Sequence, residues 1–200
     1  MSTLKSWTVS DALWERVGPL IPKHKRVSGR KYKRRAGAGR KRMSSRRVFE
    51  AIVYVLRTGC QWKALPREYG SASSVHAYFL KWKRCGVFVK LWRRGLAVYD
   101  EMEGIAWSWQ SIDGAMVKAP LAQEAVGRNP TDRGKMGTKR SLLVDGRGIP
   151  LSLVVSGAQR HDVKLLGLTL VARVVRRPRT VVQHLCADKG PHSTSKCNRA

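Results

Sequence analysis

Near residue 105 the spacing of apolar residues changes from a helical period to a strand period, so the two halves of this 200-residue chain must fold as different kinds of structure. Before the change, Ser10 is placed to cap a short helix carrying Leu13, Trp14, Val17 and Leu20, which Pro22 ends. Ser44 or Ser45 begins a second helix with Val48, Phe49, Ile52, Val55 and Leu56 on one face and Thr58-Gly59 as its stop. Residues 60–70 read as a loop containing Pro66. A third helix starts near Ser71 with Val75, Tyr78, Phe79 and Trp82 as its stripe, and a fourth runs over 87–101. After the change, 107–112, 141–144 and 149–155 are short strand-like runs, and Asp145-Gly146-Arg147-Gly148 is a hairpin signal between the last two. A helix over 161–175 leads to a further strand at 180–186. Residues 119–138, with Pro120 and Pro130, read as a long loop. The expected class is α+β, a helical bundle followed by an α/β domain.

Charge separates the halves again. The chain carries 40 Lys and Arg against 13 Asp and Glu, a net +27, of which the first hundred residues hold +19. Residues 22–47 contain thirteen Lys or Arg, three glycines and no acid, a composition that suits a flexible basic arm better than a core. Its Arg30, Lys31, Arg34, Arg35, Arg40, Lys41, Arg42, Arg46 and Arg47 are candidate phosphate contacts, because such an arm follows a DNA backbone or enters a minor groove. Nucleic acid is therefore the leading partner and an anionic membrane the second. A content of 42% hydrophobic residues with 7 Trp excludes a merely disordered tail. No apolar run is long enough for a membrane span or a signal peptide, so the expected location is the cytoplasm, associated with the nucleoid. The four cysteines form no Cys-x-x-Cys pair, which argues against a zinc ribbon or a disulfide framework.

Two aspartates end predicted strands, Asp113 in Ser-Ile-Asp-Gly and Asp188 in Cys-Ala-Asp-Lys-Gly. If those strands are neighbours, the two carboxylates meet at one sheet edge and share a divalent metal; the competing reading is ordinary turn chemistry before glycine. Asp145 suits the hairpin turn itself, and Asp162 the start of a helix, where an acid favours the dipole. The glycine-rich run at 133–140, with Arg133, Lys135, Lys139 and Arg140, offers either a backbone approach to phosphates or a solvated loop. The helices between 45 and 84 fit a helix-turn-helix or an ordinary bundle equally well on spacing, and the adjacent basic arm favours the former.

The run Arg57-Thr58-Gly59-Cys60-Gln61-Trp62-Lys63-Ala64-Leu65-Pro66, with Tyr69-Gly70-Ser71 and Trp82-Lys83-Arg84-Cys85-Gly86-Val87-Phe88, resembles the N-terminal domain of bacterial insertion-sequence transposases of the family-five group, related to family four. Ser111-Ile112-Asp113, Asp132-Arg133-Gly134-Lys135, residues 139–151, residues 157–162 and Ala187-Asp188-Lys189-Gly190 resemble the family's ribonuclease H-like catalytic domain, in this order. The resemblance implies a helix-turn-helix-like DNA-binding domain over 1–102, with the basic arm at 22–47, and a DDE domain over 103–190. It implies two Mg²⁺ ions held by two aspartates and a glutamate, hydrolysis at the transposon end, and attack of the freed 3′ hydroxyl on target DNA. Asp113 takes the first position and Asp188 the second. DNA, as inverted repeats and target, is the implied partner, with a homo-oligomer assembled on it. The family's third acid has no counterpart, since no Asp or Glu follows Asp188 and residues 191–200 look like out-of-frame sequence. The expectation is a C-terminally truncated, inactive transposase polypeptide with an incomplete ribonuclease H-like domain. Two other readings stay open: a non-catalytic DNA-binding protein that inhibits an intact transposase, and an RNA-binding, ribosome-associated protein, which would explain the charge but not the two aspartates.

Overall fold

The computed structural model describes residues 8–23, 29, 31, 33, 35, 38, 41–119 and 124–187. It is α+β, with two compact units, Met1–Trp92 and Arg93–Ala200.

In the first unit, α1 (Asp11–Val17) begins where the Ser10 hydroxyl accepts the Leu13 N–H at 3.2 Å, and a 3₁₀ turn, Gly18–Leu20, follows it. Ser44 caps α2 (Ser45–Thr58) in the same way through the Arg47 N–H, 3.2 Å. Gly59 ends that helix at φ 68°, a left-handed cap that a residue with a Cβ adopts only at a cost. Two 3₁₀ turns, Trp62–Ala64 and Arg67–Tyr69, connect it to α3 (Ala72–Arg84), and α4 (Val87–Met102) continues past the unit's edge. The apolar stripes meet at most of the expected positions: Val17, Val48, Ala51, Ile52, Val75 and Val87 are fully buried, with Phe49, Leu65 and Trp82 beside them, whereas Leu13 and Leu56, expected on the same stripes, are exposed.

The second unit is a mixed sheet of β1 (Trp109–Lys118), β2 (Gly127–Arg128), β3 (Met136–Asp145), β4 (Pro150–Gly157) and β5 (His184–Ala187), with α5 (Asp162–Val171) between the last two strands. β3 pairs antiparallel with β1 along one edge and with β4 and β2 along the other. After α5 the chain returns to the far side of β1, where β5 pairs parallel to it.

Several expectations change: α5 ends at Val171 rather than at 175, and the last strand is His184–Ala187 rather than 180–186. The 119–138 stretch is not one loop, because Gly127–Arg128 and the start of β3 form a hairpin. The turn chemistry explains it. The Asn129 carboxamide oxygen accepts the Thr131 N–H and hydroxyl at 3.1 and 2.8 Å, its backbone pairs with Lys135 and Gly134, and Gly134 takes φ 70°. Pro130 and Gly134 therefore punctuate a turn between strands. Asp113 likewise does not stand at a strand end: β1 runs five residues beyond it, paired to β3 as far as Lys118 opposite Gly137. The local sequence Gly114-Ala115 is a weak strand former, and the ladder to β3 overrides that preference.

Candidate functional site

Residue alternation along the paired strands sorts the sequence-predicted residues onto two faces of the sheet. Gln110, Ile112 and Gly114 of β1 lie opposite Asp145, Leu143 and Ser141 of β3, and Met116 lies opposite Lys139, so all share one face. α5 packs there: the Thr169 hydroxyl donates to Ser141 Oγ at 2.8 Å, and Ser152 Oγ donates to the Thr169 carbonyl at 2.6 Å. Asp113, opposite Leu142, is on the other face, and so is Arg140, opposite Ala115. Of the predicted residues, the register thus brings Asp113 and Arg140 together as diagonal neighbours and places Lys139 behind them.

Asp113 is exposed, and one of its carboxylate oxygens accepts the Gly114 N–H at 2.7 Å. Among the described residues no cation forms an ion pair with it. A carboxylate held on a strand and not taken up in an ion pair is a hard oxygen donor suited to Mg²⁺. Asp188 lies outside the described residues. The parallel register to β1 runs Trp109 to His184, Gln110 to Leu185, Ser111 to Cys186 and Ile112 to Ala187, which are the residues preceding Asp113 and Asp188 in the sequence. No group of three His, Cys, Asp or Glu able to hold a metal occurs among the described residues.

The other two aspartates hold the fold. Asp145, 2% exposed, accepts the Arg147 and Ile149 N–H groups at 2.9 and 2.8 Å with one oxygen and the Ala106 N–H at 3.0 Å with the other. It closes the β3–β4 turn and ties it to the approach to β1. Asp162 opens α5 and pairs with Lys139 Nζ at 3.0 Å, Lys139 itself being 7% exposed. A Cβ on Gly114 would come within 2.9 Å of an Asp162 carboxylate oxygen, so a larger residue beside Asp113 would displace that side chain.

The basic candidates divide in a similar way. Arg30, Arg34 and Arg40 lie outside the described residues; Lys31, Arg35, Lys41, Arg42, Arg133 and Lys135 are exposed. Arg46 and Arg47 sit in the first turn of α2, where a cation opposes the helix dipole, and internal partners offset that cost. Arg46 pairs with Asp11 at 2.6 Å and Glu50 at 3.1 Å and donates to the Val9 carbonyl. The Asp11 hydrogen bond, more than Glu50, raises its pKa. Arg47 donates twice to the Glu68 carbonyl. Both line a cleft of about 450 Å³ with Ser44, Glu50, Glu68 and Tyr69.

Sequence reasoning missed a polar network at the root of β5. The Gln110 carboxamide donates to Gln183 Oε1 at 2.9 Å and accepts from Arg173 at 3.0 Å, and Gln183 donates to the Pro178 carbonyl at 3.2 Å. Burial lowers the pKa of Arg173, and the nearby Arg177 charge adds to the effect. The only sequence signal for this network was the crowding of arginines at 173–179.

Residues 9–92 match the family described as "Putative transposase of IS4/5 family", and residues 110–197 match the transposase DDE domain. The chain is 30% identical over 124 residues to the "Insertion element IS402 uncharacterized 16.2 kDa protein" of Burkholderia cepacia, covering 61% of this chain and 80% of that one. It is 28% identical over 126 residues to the uncharacterized protein y4sN of Sinorhizobium fredii (strain NBRC 101917 / NGR234), covering 63% and 86% of the two chains. A "Putative transposase for insertion sequence element IS402" from Burkholderia cepacia is 35% identical over 74 residues, 32% of this chain and 33% of the relative. No solved structure matches the chain. With a helical first unit, a mixed sheet carrying Asp113, and these matches over both, the chain belongs to the IS4/5 family of insertion-sequence transposases.

Proposed function

We propose that the N-terminal unit, taken as 1–102 with its basic arm, is a helix-turn-helix-like domain that binds transposon-end DNA, and that residues 103–190 belong to a ribonuclease H-like DDE domain. One observation carries the reading: β5 runs parallel beside β1 in a register whose last described pair, Ile112 and Ala187, is followed in sequence by Asp113 and Asp188. The strand order, with an antiparallel β1–β3–β4 meander and a crossover through α5 to the other side of β1, supports it. So does the matched transposase DDE domain.

In this reading Asp113 and Asp188 hold Mg²⁺. The metal, when bound, activates water and stabilises the phosphodiester leaving group. The chain's own contributions are specific. Asp113 supplies a carboxylate oriented by the Gly114 N–H, and Asp145 and the Gln110–Gln183 contact keep β1, β3 and β5 in register beneath it. Arg140, on the same face, supplies a cation for the DNA backbone near the reacting phosphate. The polypeptide assembles as a homo-oligomer on inverted repeats and target DNA in the cytoplasm, at the nucleoid. No described helix is long and apolar enough to cross a membrane.

These 200 residues hold two of the three acids, and among the described residues Asp162 does not replace the third, since it pairs with Lys139 on the opposite face from Asp113. We infer that these 200 residues by themselves bind DNA without cleaving it. The test uses plasmid DNA, the purified chain, and Mg²⁺ or Mn²⁺. The expected result is a gel shift that weakens steeply with salt and no nicking. Nicking that Asp113→Ala abolishes would establish an active enzyme with its third ligand supplied elsewhere. The second reading, a non-catalytic inhibitor of an intact transposase, predicts that the chain slows cleavage by a full-length relative on shared ends.

A further inference from the structure

Residues 163–187 contain five Lys or Arg and no acid, and four of the five are arginines within 173–179. This segment is not a free coil. Val174, 9% exposed, donates its N–H to the Leu151 carbonyl at 3.0 Å and accepts from Arg93 Nε at 2.8 Å, and the Pro178 carbonyl accepts from Gln183 at 3.2 Å. Arg173 is turned inward onto Gln110. Arg176, Arg177 and Arg179 are exposed, and among the described residues their side chains form no hydrogen bond or ion pair. These three exposed arginines lie within four residues of one another in a segment whose backbone is anchored at Val174 and Pro178, and no acid occurs in residues 163–187.

Planar guanidinium forks match phosphate oxygens two at a time, and a pinned segment loses little entropy on binding them. We propose that Arg176, Arg177 and Arg179 form a second phosphate-binding strip, on the catalytic unit and separate in sequence from the 22–47 stretch, that holds the backbone of duplex DNA. The strip immediately precedes β5, so DNA held there lies beside the strand that leads to Asp188. The inference rests on the DNA-binding reading above and adds a contact surface to it.

The test compares the whole chain with Arg176→Gln/Arg177→Gln/Arg179→Gln and with an equal-charge control, Arg128→Gln/Arg160→Gln/Lys164→Gln, all exposed positions of the same unit. Binding to a random-sequence duplex is measured as a function of salt. Each phosphate contact contributes about −0.9 to the slope of log K against log salt, so the strip variant is expected to lose about two to three units of slope. The control should lose much less. An Arg→Lys triple variant keeps the charge and should keep the slope, and matched melting curves separate lost contacts from lost folding. Equal losses in the strip variant and the control overturn the strip while leaving DNA binding intact. No binding by the unaltered chain overturns both readings. A strip variant that binds DNA normally but loses binding to anionic vesicles assigns the arginines to a membrane surface instead and also overturns the proposal.

Discussion

The two faces of the sheet are built from the same strands, yet they do opposite things. The face under α5 buries Leu143 and Ser152 completely and pairs Ser141, Ser152 and Lys139 with Thr169 and Asp162 of α5. The face that carries Asp113 leaves Trp109 56%, Val155 47%, Leu153 43% and Val117 41% exposed. Because strand side chains alternate, one-residue steps along β3 move from Lys139, committed to structure, to Arg140, available to a partner. The contrast teaches that residue type alone says little about role here. Two adjacent basic residues, both plausible DNA contacts in sequence, are separated by the pleat.

The largest test of this contrast is energetic. Leu143→Ala, on the covered face and fully buried, should cost about 2 to 5 kcal/mol in urea unfolding, while Leu153→Ala on the open face should cost about 1 kcal/mol or less. Equal costs would mean that the open face is covered in solution. Asp145→Ala comes next. It strands three backbone N–H groups that now donate to one carboxylate, and a loss of about 3 kcal/mol is expected, with a collapse of the β3–β4 hairpin visible in amide exchange.

Much of the fold was legible because its signals were local. Ser10, Ser44 and Gly59 mark helix ends through bonds spanning three or four residues, and the buried positions of α2 follow the helical period. Asp145-Gly146 announced its own turn. Less legible were features fixed by distant partners. Asp113 reads as a strand end before glycine, but nine consecutive pairings with β3 carry the strand through it. Arg46 and Arg47 read as the end of a basic arm. Their use inside the first unit depends on Asp11, Glu50 and the Glu68 carbonyl, and only the tertiary fold brings Asp11 and Glu68 beside them. The proposed pair Asp113 and Asp188 came from the sequence and the family resemblance, while the parallel β1–β5 register runs as far as Ile112 opposite Ala187.

A smaller effect is expected at the boundary between the faces. Asp162→Asn removes the partner of Lys139, an amine 7% exposed on the covered face, while Asp162 is itself largely exposed. Solvent screening at the carboxylate keeps the expected loss to about 1 kcal/mol. Lys139→Met, which replaces the buried amine with an apolar chain of similar length, should recover most of it in the double variant. If Lys139→Met instead halves the salt slope of DNA binding without changing stability, then Lys139 belongs with Arg140 and the assignment of faces is wrong.

The smallest change in stability is expected at Asp113, the residue proposed to hold the metal. Asp113→Asn keeps the size and an acceptor oxygen for the Gly114 N–H, and the site is exposed, so unfolding should shift by no more than about 0.5 kcal/mol. What should vanish is the response to metal. A divalent ion that binds only the native state raises the melting temperature in proportion to ln(1 + [M]/Kd), and two carboxylates bind such an ion weakly, so millimolar Mn²⁺ should be needed to see it. The unaltered chain is expected to show a rise of a degree or two that Asp113→Asn removes and Asp162→Asn, on the other face, preserves. Loss of the response in Asp162→Asn but not in Asp113→Asn would place the metal on the covered face, and the open face would then have to be read as a docking surface with no catalytic history.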